Sequence, residues 1–419
     1  MTSREKILAS LNHTPGPVAV DFGSTHVSGI HVSCVAALRR HYGLPEHPVK
    51  VLEPYQMLGL VEDDLLDALG VDTTGLFGRA TMFGFANTDW REWRAPWGQD
   101  VLVAGDFRPR PAPDGGVLLH PHGDPSAEPS GHMPAGGYFF DSIIRQPPID
   151  EDKLDPLDNC EEFAPLSDAD ITHWKGELAR ARDSRRAVVA TLGGTAFGDI
   201  ALVPAPGLKK PRGIRDVTEW YVSLVERRGH VRAIFERQCE IALGNLEVFA
   251  QMAGGIVDVL FVCGTDFGTQ HSQFCSVATF NELFAPYYRR INDWVHSRTK
   301  WKTLKHSCGA IHPLLPHIID AGFDIVNPVQ CSAADMEPGR LKREFGDRLV
   351  FWGGGVDTQK TLPFGTPAEV RAEVLGRLRV FAPGGGFVFN TIHNTQALTP
   401  VENIVAMIDA IREYNTAGA

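Results

Sequence analysis

The chain has 419 residues, 43% hydrophobic and 22% charged, enough to bury a large core and too apolar for disorder. Its formal net charge of -11, with Lys and Arg scattered, leaves no electrostatic footprint for nucleic acid, and no stretch of about 20 residues is apolar enough to span a bilayer. Nucleic-acid and membrane partners are therefore not expected. The opening MTSREKILASLNHTPG lacks the long apolar core of a secretory signal, so the expected location is the cytoplasm. Seven cysteines, odd in number and widely spread, read as free thiols or ligands rather than a disulfide framework.

In chain order, eight short apolar runs recur: 18–23, 71–77, 187–193, 257–263, 301–305, 324–328, 349–353 and 386–391. Most are followed by helical periodicity, the alternation of a parallel sheet with crossover helices. Eight such strands predict a (β/α)8 TIM barrel, with an open doubly wound sheet as the alternative, and a barrel fills residues 1–419 as a single domain. Oligomerisation is left open. Thr2 with Glu5, Thr279 with Glu282, Thr366 with Glu369 and Thr399 with Glu402 have capping-box spacing and predict helix starts. The stripes Phe280, Leu283, Phe284, Tyr287, Ile291 and Ile311, Leu314, Leu315, Ile318, Ile319 predict core-facing helices. Between the second and third strands, Trp90, Trp93 and Trp97 and the segments VLV, GGVLL and GGYFF are set between Pro and Gly turns. This stretch reads as an antiparallel hairpin insertion with its connection over 88–165.

In a TIM barrel the reacting groups stand where strands end. After the fifth run comes LKHSCGAIHPLL, which puts His306 and Cys308 two residues apart, on one side while strand geometry lasts. An imidazole and a thiolate form a pair suited to zinc, whose catalytic sites take three protein ligands and keep one position open. His393, after the eighth run, is the first candidate for the third ligand; Cys331 and Asp266 are the next. In isolation H-x-C is also the pattern of a buried thiol beside a core histidine. GGTAFGD (193–199), GTDFGTQ (264–270) and GGGVDTQ (353–359) follow other strands, and none is a dinucleotide or phosphate loop. Asp266 is the candidate acid or base, and Asp21, His26, Gln330, Asp357 and Gln396 are the candidate substrate-binding residues. For Asp266 and Asp357, helix capping is the competing role. His31 is a further candidate for the mouth, whereas His120 and His122 read as decoration of a hairpin.

The segments 306–330, 348–370 and 384–411, with the opening 3–23 and the stretch 264–291, resemble the uroporphyrinogen decarboxylase superfamily. The hairpin region is poorly matched. The resemblance implies a (β/α)8 barrel and two competing chemistries. The decarboxylases proper carry an Arg-rich signature near the first strand that grips tetrapyrrole carboxylates; here VAVDFGSTHVSGIHVS (18–33) has no arginine. The other branch comprises zinc-dependent methyltransferases serving corrinoid proteins, whose His-x-Cys and distant Cys resemble His306 and Cys308, with His393 in place of the distant Cys. One thiolate instead of two makes the metal a stronger Lewis acid, suited to a methoxy oxygen rather than a thiol. The implied function is zinc-dependent methyl transfer from a small methyl donor, such as a methoxylated aromatic, to a corrinoid protein or related acceptor. The alternatives are a metal-free decarboxylase of the same type acting on a smaller substrate than uroporphyrinogen through Asp21 or Asp266, and an inactive barrel kept as a binding subunit.

Overall fold

In the computed structural model, which describes residues 1–417, eight parallel strands form one sheet. They are β1 (Ala19–Val20), β2 (Thr73–Phe77), β3 (Ala187–Thr191), β4 (Val259–Cys263), β5 (Lys302–His306), β6 (Ile325–Asn327), β7 (Val350–Trp352) and β8 (Phe387–Phe389). Each lies within or one residue beyond an expected run, and most are shorter than the run. Glycines at the run ends account for part of the shortening: Gly193 (φ 85°) and Gly353 (φ 108°) take the chain out of the ladder in a conformation that other residues resist.

From β2 to β8 each strand pairs with the next, and β8 returns to β1 in the register Ala19 to Val388. The remaining seam, between β1 and β2, closes through Asp72. Its N–H donates to the Val20 carbonyl (2.8 Å) while its carboxylate accepts the Val20 N–H (3.0 Å). A side chain thus replaces a ladder partner, and Lys6 lies 3.0 Å from the same carboxylate. Inward-facing Ala19, Val189, Val259, Leu304, Ile325 and Val350 fill the barrel with Ile7 and Leu11 from helix α1 (Ser3–Leu11), so this helix plugs one end.

Two further sheets depart from the expected insertion. Arg91–Arg94 and Asp100–Val103 form an antiparallel hairpin, but Asp100–Val103 also pairs in parallel with Val49–Glu53, from the connection between β1 and β2. Hydrogen bonding thus unites two connections in one sheet. Arg110–Pro111, Val117–Leu119, Gly131–Met133 and Asp141–Ser142 make the second, antiparallel sheet. Leu58–Gly59 and Ile30–His31 extend the first sheet, and His31 N–H donates to the Thr395 carbonyl (2.9 Å), tying that sheet to the loop after β8.

The helices α2 (Asp63–Leu69) and α3 (Asp168–Ala181) flank the seam strands. Capping boxes form at Thr2/Glu5 and Thr366/Glu369, the latter with Pro at the helix start. The box expected at Thr279 is one turn too late. Ser276 caps that helix by accepting from Thr279 N–H, Phe280–Phe284 follows as a π-helical turn, and Glu282 instead pairs with Arg228 and Arg232. Thr399 donates its hydroxyl to the Gln396 carbonyl (2.9 Å) rather than forming a box. No helix among the described residues is long and apolar enough to cross a membrane.

Candidate metal centre

His306 is the last residue of β5, Asn327 the last of β6 and Trp352 the last of β7. Being at equivalent heights on neighbouring strands, they join in one chain of hydrogen bonds. Asn327 Nδ2 donates to the Trp352 carbonyl (2.7 Å), so Asn327 Oδ1 faces His306 Nδ1 at 2.6 Å. An amide oxygen only accepts, so Nδ1 carries the ring proton and Nε2 presents its lone pair. The same logic sets His393. Asn394 Nδ2 donates to Gln56 Oε1 (2.7 Å), which turns Asn394 Oδ1 toward His393 Nδ1 at 3.0 Å and leaves Nε2 of that ring free to bind.

Cys308 stands beside these rings, with Sγ 3.4 Å from His306 Nε2. Its turn is held from three sides. Ser307 N–H donates to the Asn327 carbonyl (2.6 Å), Cys308 N–H to Asp266 Oδ1 (2.6 Å) and Gly309 N–H to Gln330 Oε1 (2.7 Å). Gly309 (φ 87°) admits no side chain, because a Cβ would lie 2.3 Å from the Gly268 backbone. The ligand atoms of His306, Cys308 and His393 all lie within 4.8 Å of one another.

Burial lowers the pKa of His306 to about 4, against the pull of Asp266, and lowers that of His393. Both imidazoles are neutral at pH 7, as metal ligands must be. Burial, with Asp266 adding to it, pushes the Cys308 thiol up, so a thiolate here needs a cation beside it. The donor set fits zinc: Zn–S and Zn–N bonds of about 2.3 and 2.0 Å in a tetrahedron put S and N about 3.5 Å apart, close to the 3.4 Å found. Cys331 Sγ instead faces the Val329 carbonyl (3.3 Å), and burial pushes its pKa up to about 12.

Several residues expected to face substrate are engaged within the protein. Asp21 is fully buried and accepts from Thr73 Oγ1 (2.6 Å), Trp352 Nε1 (2.9 Å) and Ser24 N–H (3.3 Å), so it ties three strands together. Gln330 also donates to Gln270 Oε1 (2.9 Å) and buttresses the Cys308 turn. Asp357 caps a turn, accepting from the N–H groups of Gln359 (2.7 Å) and Lys360 (2.9 Å). Gln396 donates to Asn394 Oδ1 and so supports the holder of His393. His26 lies nearby, stacked on Phe77 at 4.9 Å, and its carbonyl accepts from Asn394 Nδ2 at 3.4 Å. Asp266 lies 3.7 Å from His306 Nε2, at the ligands themselves. His31 is buried, its ring engaged by Ser33 and the Tyr138 carbonyl, and His120 binds the Ala127 carbonyl.

Sequence reasoning missed Asn327 and Asn394, which orient the two rings, and Lys305. The Lys305 ammonium is buried under the site, bonded to the carbonyls of Thr265 and His306 and 4.8 Å from the Phe267 ring centre. A lysine inside an apolar strand run is the signal that marked it. Asp199 was also missed; burial and the neighbouring Asp266 push its pKa up to about 6.

Residues 220–414, a span that contains His306, Cys308 and His393, match the family model "Uroporphyrinogen decarboxylase (URO-D)". Shorter segments resemble uroporphyrinogen decarboxylases of Herminiimonas arsenicoxydans, 33% identical over 80 residues, and Methylibium petroleiphilum, 31% over 104. These segments cover 18% and 24% of this chain, and only 21% and 26% of those relatives. A solved methyltransferase from Methanosarcina mazei has the same fold over 99% of both chains, with a TM-score of 0.55 at 15% identity. Residues 220–414 are thus similar to the URO-D family, and the eight-stranded barrel is the fold that the chain shares with the Methanosarcina mazei protein.

Proposed function

We propose that this protein is a zinc-dependent methyltransferase that takes a methyl group from a small methoxylated donor, with a corrinoid on a partner protein or a related cofactor as acceptor. The observation that carries the reading is the set His306, Cys308 and His393, gathered within 4.8 Å with both rings held in the ligating tautomer. Zinc bound there supplies Lewis acidity toward an ether oxygen, stronger with one thiolate than with two. The residues of the chain itself do the positioning. Asn327 and Asn394 aim the imidazoles, and Gln330 and Gly309 shape the cysteine turn. Asp266, on the Cys308 amide and beside His306, is the group placed to manage a proton on the departing oxygen.

The named relatives favour a second reading, decarboxylation. One of its two candidate carboxylates, Asp21, is enclosed by Trp352, Thr73 and Ser24, which leaves Asp266 to serve it.

Metal analysis and a turnover assay separate the two. The expected result is about one zinc per chain, lost in His306→Ala, Cys308→Ala and His393→Ala, with zinc-dependent transfer of methyl from methoxybenzenes to cob(I)alamin. Metal-free protein that releases CO2 from a carboxylic acid smaller than uroporphyrinogen would overturn the proposal. Full zinc retention in His393→Ala would move the third ligand elsewhere, Cys331 being the next variant.

A further inference from the structure

A cavity of about 480 Å³ lies at the seam between β1 and β2, and none of the three metal ligands lines it. Its origin is the short β1. Past the Val20 to Asp72 contact no ladder joins the two strands, and the edge of β2 from Thr73 to Phe77 borders a gap. Helix α2 lines the gap with Asp63 and Leu66, and α3 with His173, Glu177 and Arg180. That spacing puts the three α3 side chains on one face, along about 10 Å of helix. Gly75 keeps the floor compact, since a Cβ there would meet the Ser24 carbonyl oxygen at 2.5 Å and the Phe77 ring at 2.8 Å.

The lining has the composition of a ligand site. Phe22, Phe77 and Trp90 supply aromatic surface, Leu60 and Val61 aliphatic surface, and the volume falls within the roughly 300–1,000 Å³ of small-molecule pockets. Hydrogen-bonding capacity is left over. Ser24 Oγ and Asn87 Oδ1, on two lining residues, are buried without a protein partner. Arg79 commits only Nε, to Asp170 (3.1 Å), and Arg180 commits Nη2, to Glu177 (2.8 Å) and the Gly75 carbonyl (3.2 Å). The acidic residues at the mouth are already paired: Glu62 with Arg39 (3.3 Å) and His47 (3.0 Å), Asp63 with Arg186 (2.8 Å).

We infer that this cavity binds a small aryl carboxylic acid, its ring against Phe77 and Trp90 and its carboxylate on the uncommitted N–H groups of Arg79. Guanidinium recognises carboxylate in preference to a neutral amide, because both oxygens accept charge-assisted bonds. The site is separate from the metal centre and does not rest on methyl transfer. Phe77, which lines the cavity, has His26 stacked on it.

The test is isothermal titration of the full chain with 3-phenylpropionate and, separately, with 3-phenylpropionamide. Saturable binding of the acid is expected, with the amide about tenfold weaker or worse. Leu60→Trp and Leu66→Trp, two substitutions that enlarge covered side chains lining the cavity, should each abolish binding while the melting temperature shows the chain folded. No saturable binding of the acid up to about 10 mM overturns the proposal. So does equal affinity for the amide, or undiminished binding in whichever filled variant folds.

Discussion

At the scale of single residues, the site depends on two asparagine amides as much as on the ligands. Asn327 is oriented by the Trp352 carbonyl, and that orientation decides which nitrogen of His306 carries the proton. Asn327→Ala should therefore lower zinc affinity by about 10- to 100-fold, read by competition with a chromophoric chelator. Affinity equal to the parent's would show that packing alone aims the ring. His306, Cys308 and His393 were legible because strand ends in a barrel share one rim, so residues 87 apart in the chain meet there. Asn327 was not legible, since its role depends on a carbonyl belonging to another strand. Asp21 and Gln330 were legible as strand-end polar groups but not in their roles: each finds protein partners only once the barrel closes.

At the scale of elements, the strands are shorter than the apolar runs that announced them, because the residues past the last rung turn out to build the rim. Capping chemistry was read correctly at Thr2 and Thr366 and misplaced at Thr279. There, S-x-x-T precedes T-x-x-E by one turn, and local spacing does not choose between them. The Arg228 and Arg232 guanidiniums decide it by drawing Glu282 away. Ser276→Ala should cost about 1 kcal/mol in urea unfolding, as the loss of an N-cap does. Glu282→Gln should cost less, since it breaks only half-exposed ion pairs. The reverse order of the two costs would restore Thr279 as the start of the helix.

At the scale of the whole molecule, the sheet above β1 and the loop after β8 are one structure, and Glu53 stands at their junction. Its carboxylate accepts the N–H groups of Tyr55 and Gln56 (2.7 Å each), and Gln56 in turn holds Asn394. Burial outweighs those two bonds and raises the Glu53 pKa from 4.5 to about 7. The folded chain then binds this proton more tightly than the unfolded chain. The contribution to stability is full below about pH 4.5 and is lost as the pH rises through about 7, by about 3 kcal/mol in all. Glu53→Gln should flatten that part of the stability profile, measured by urea unfolding at pH 4.5, 6 and 8. An unchanged slope would mean that water reaches the carboxylate.

The sequence by itself determined the eight strand runs, their alternation with helices and the strand ends after which His306, Cys308 and His393 stand, while closure into a barrel rather than an open sheet came from the pairing of β8 with β1. The former follow from period and length, which are local properties of the chain. Only the tertiary structure decided how the seam closes through Asp72, which histidine nitrogens are left free to bind, and that a cavity opens between β1 and β2. Each of these depends on a donor and an acceptor, or on two surfaces, that are distant in the chain and meet only when the sheet is curved into a barrel.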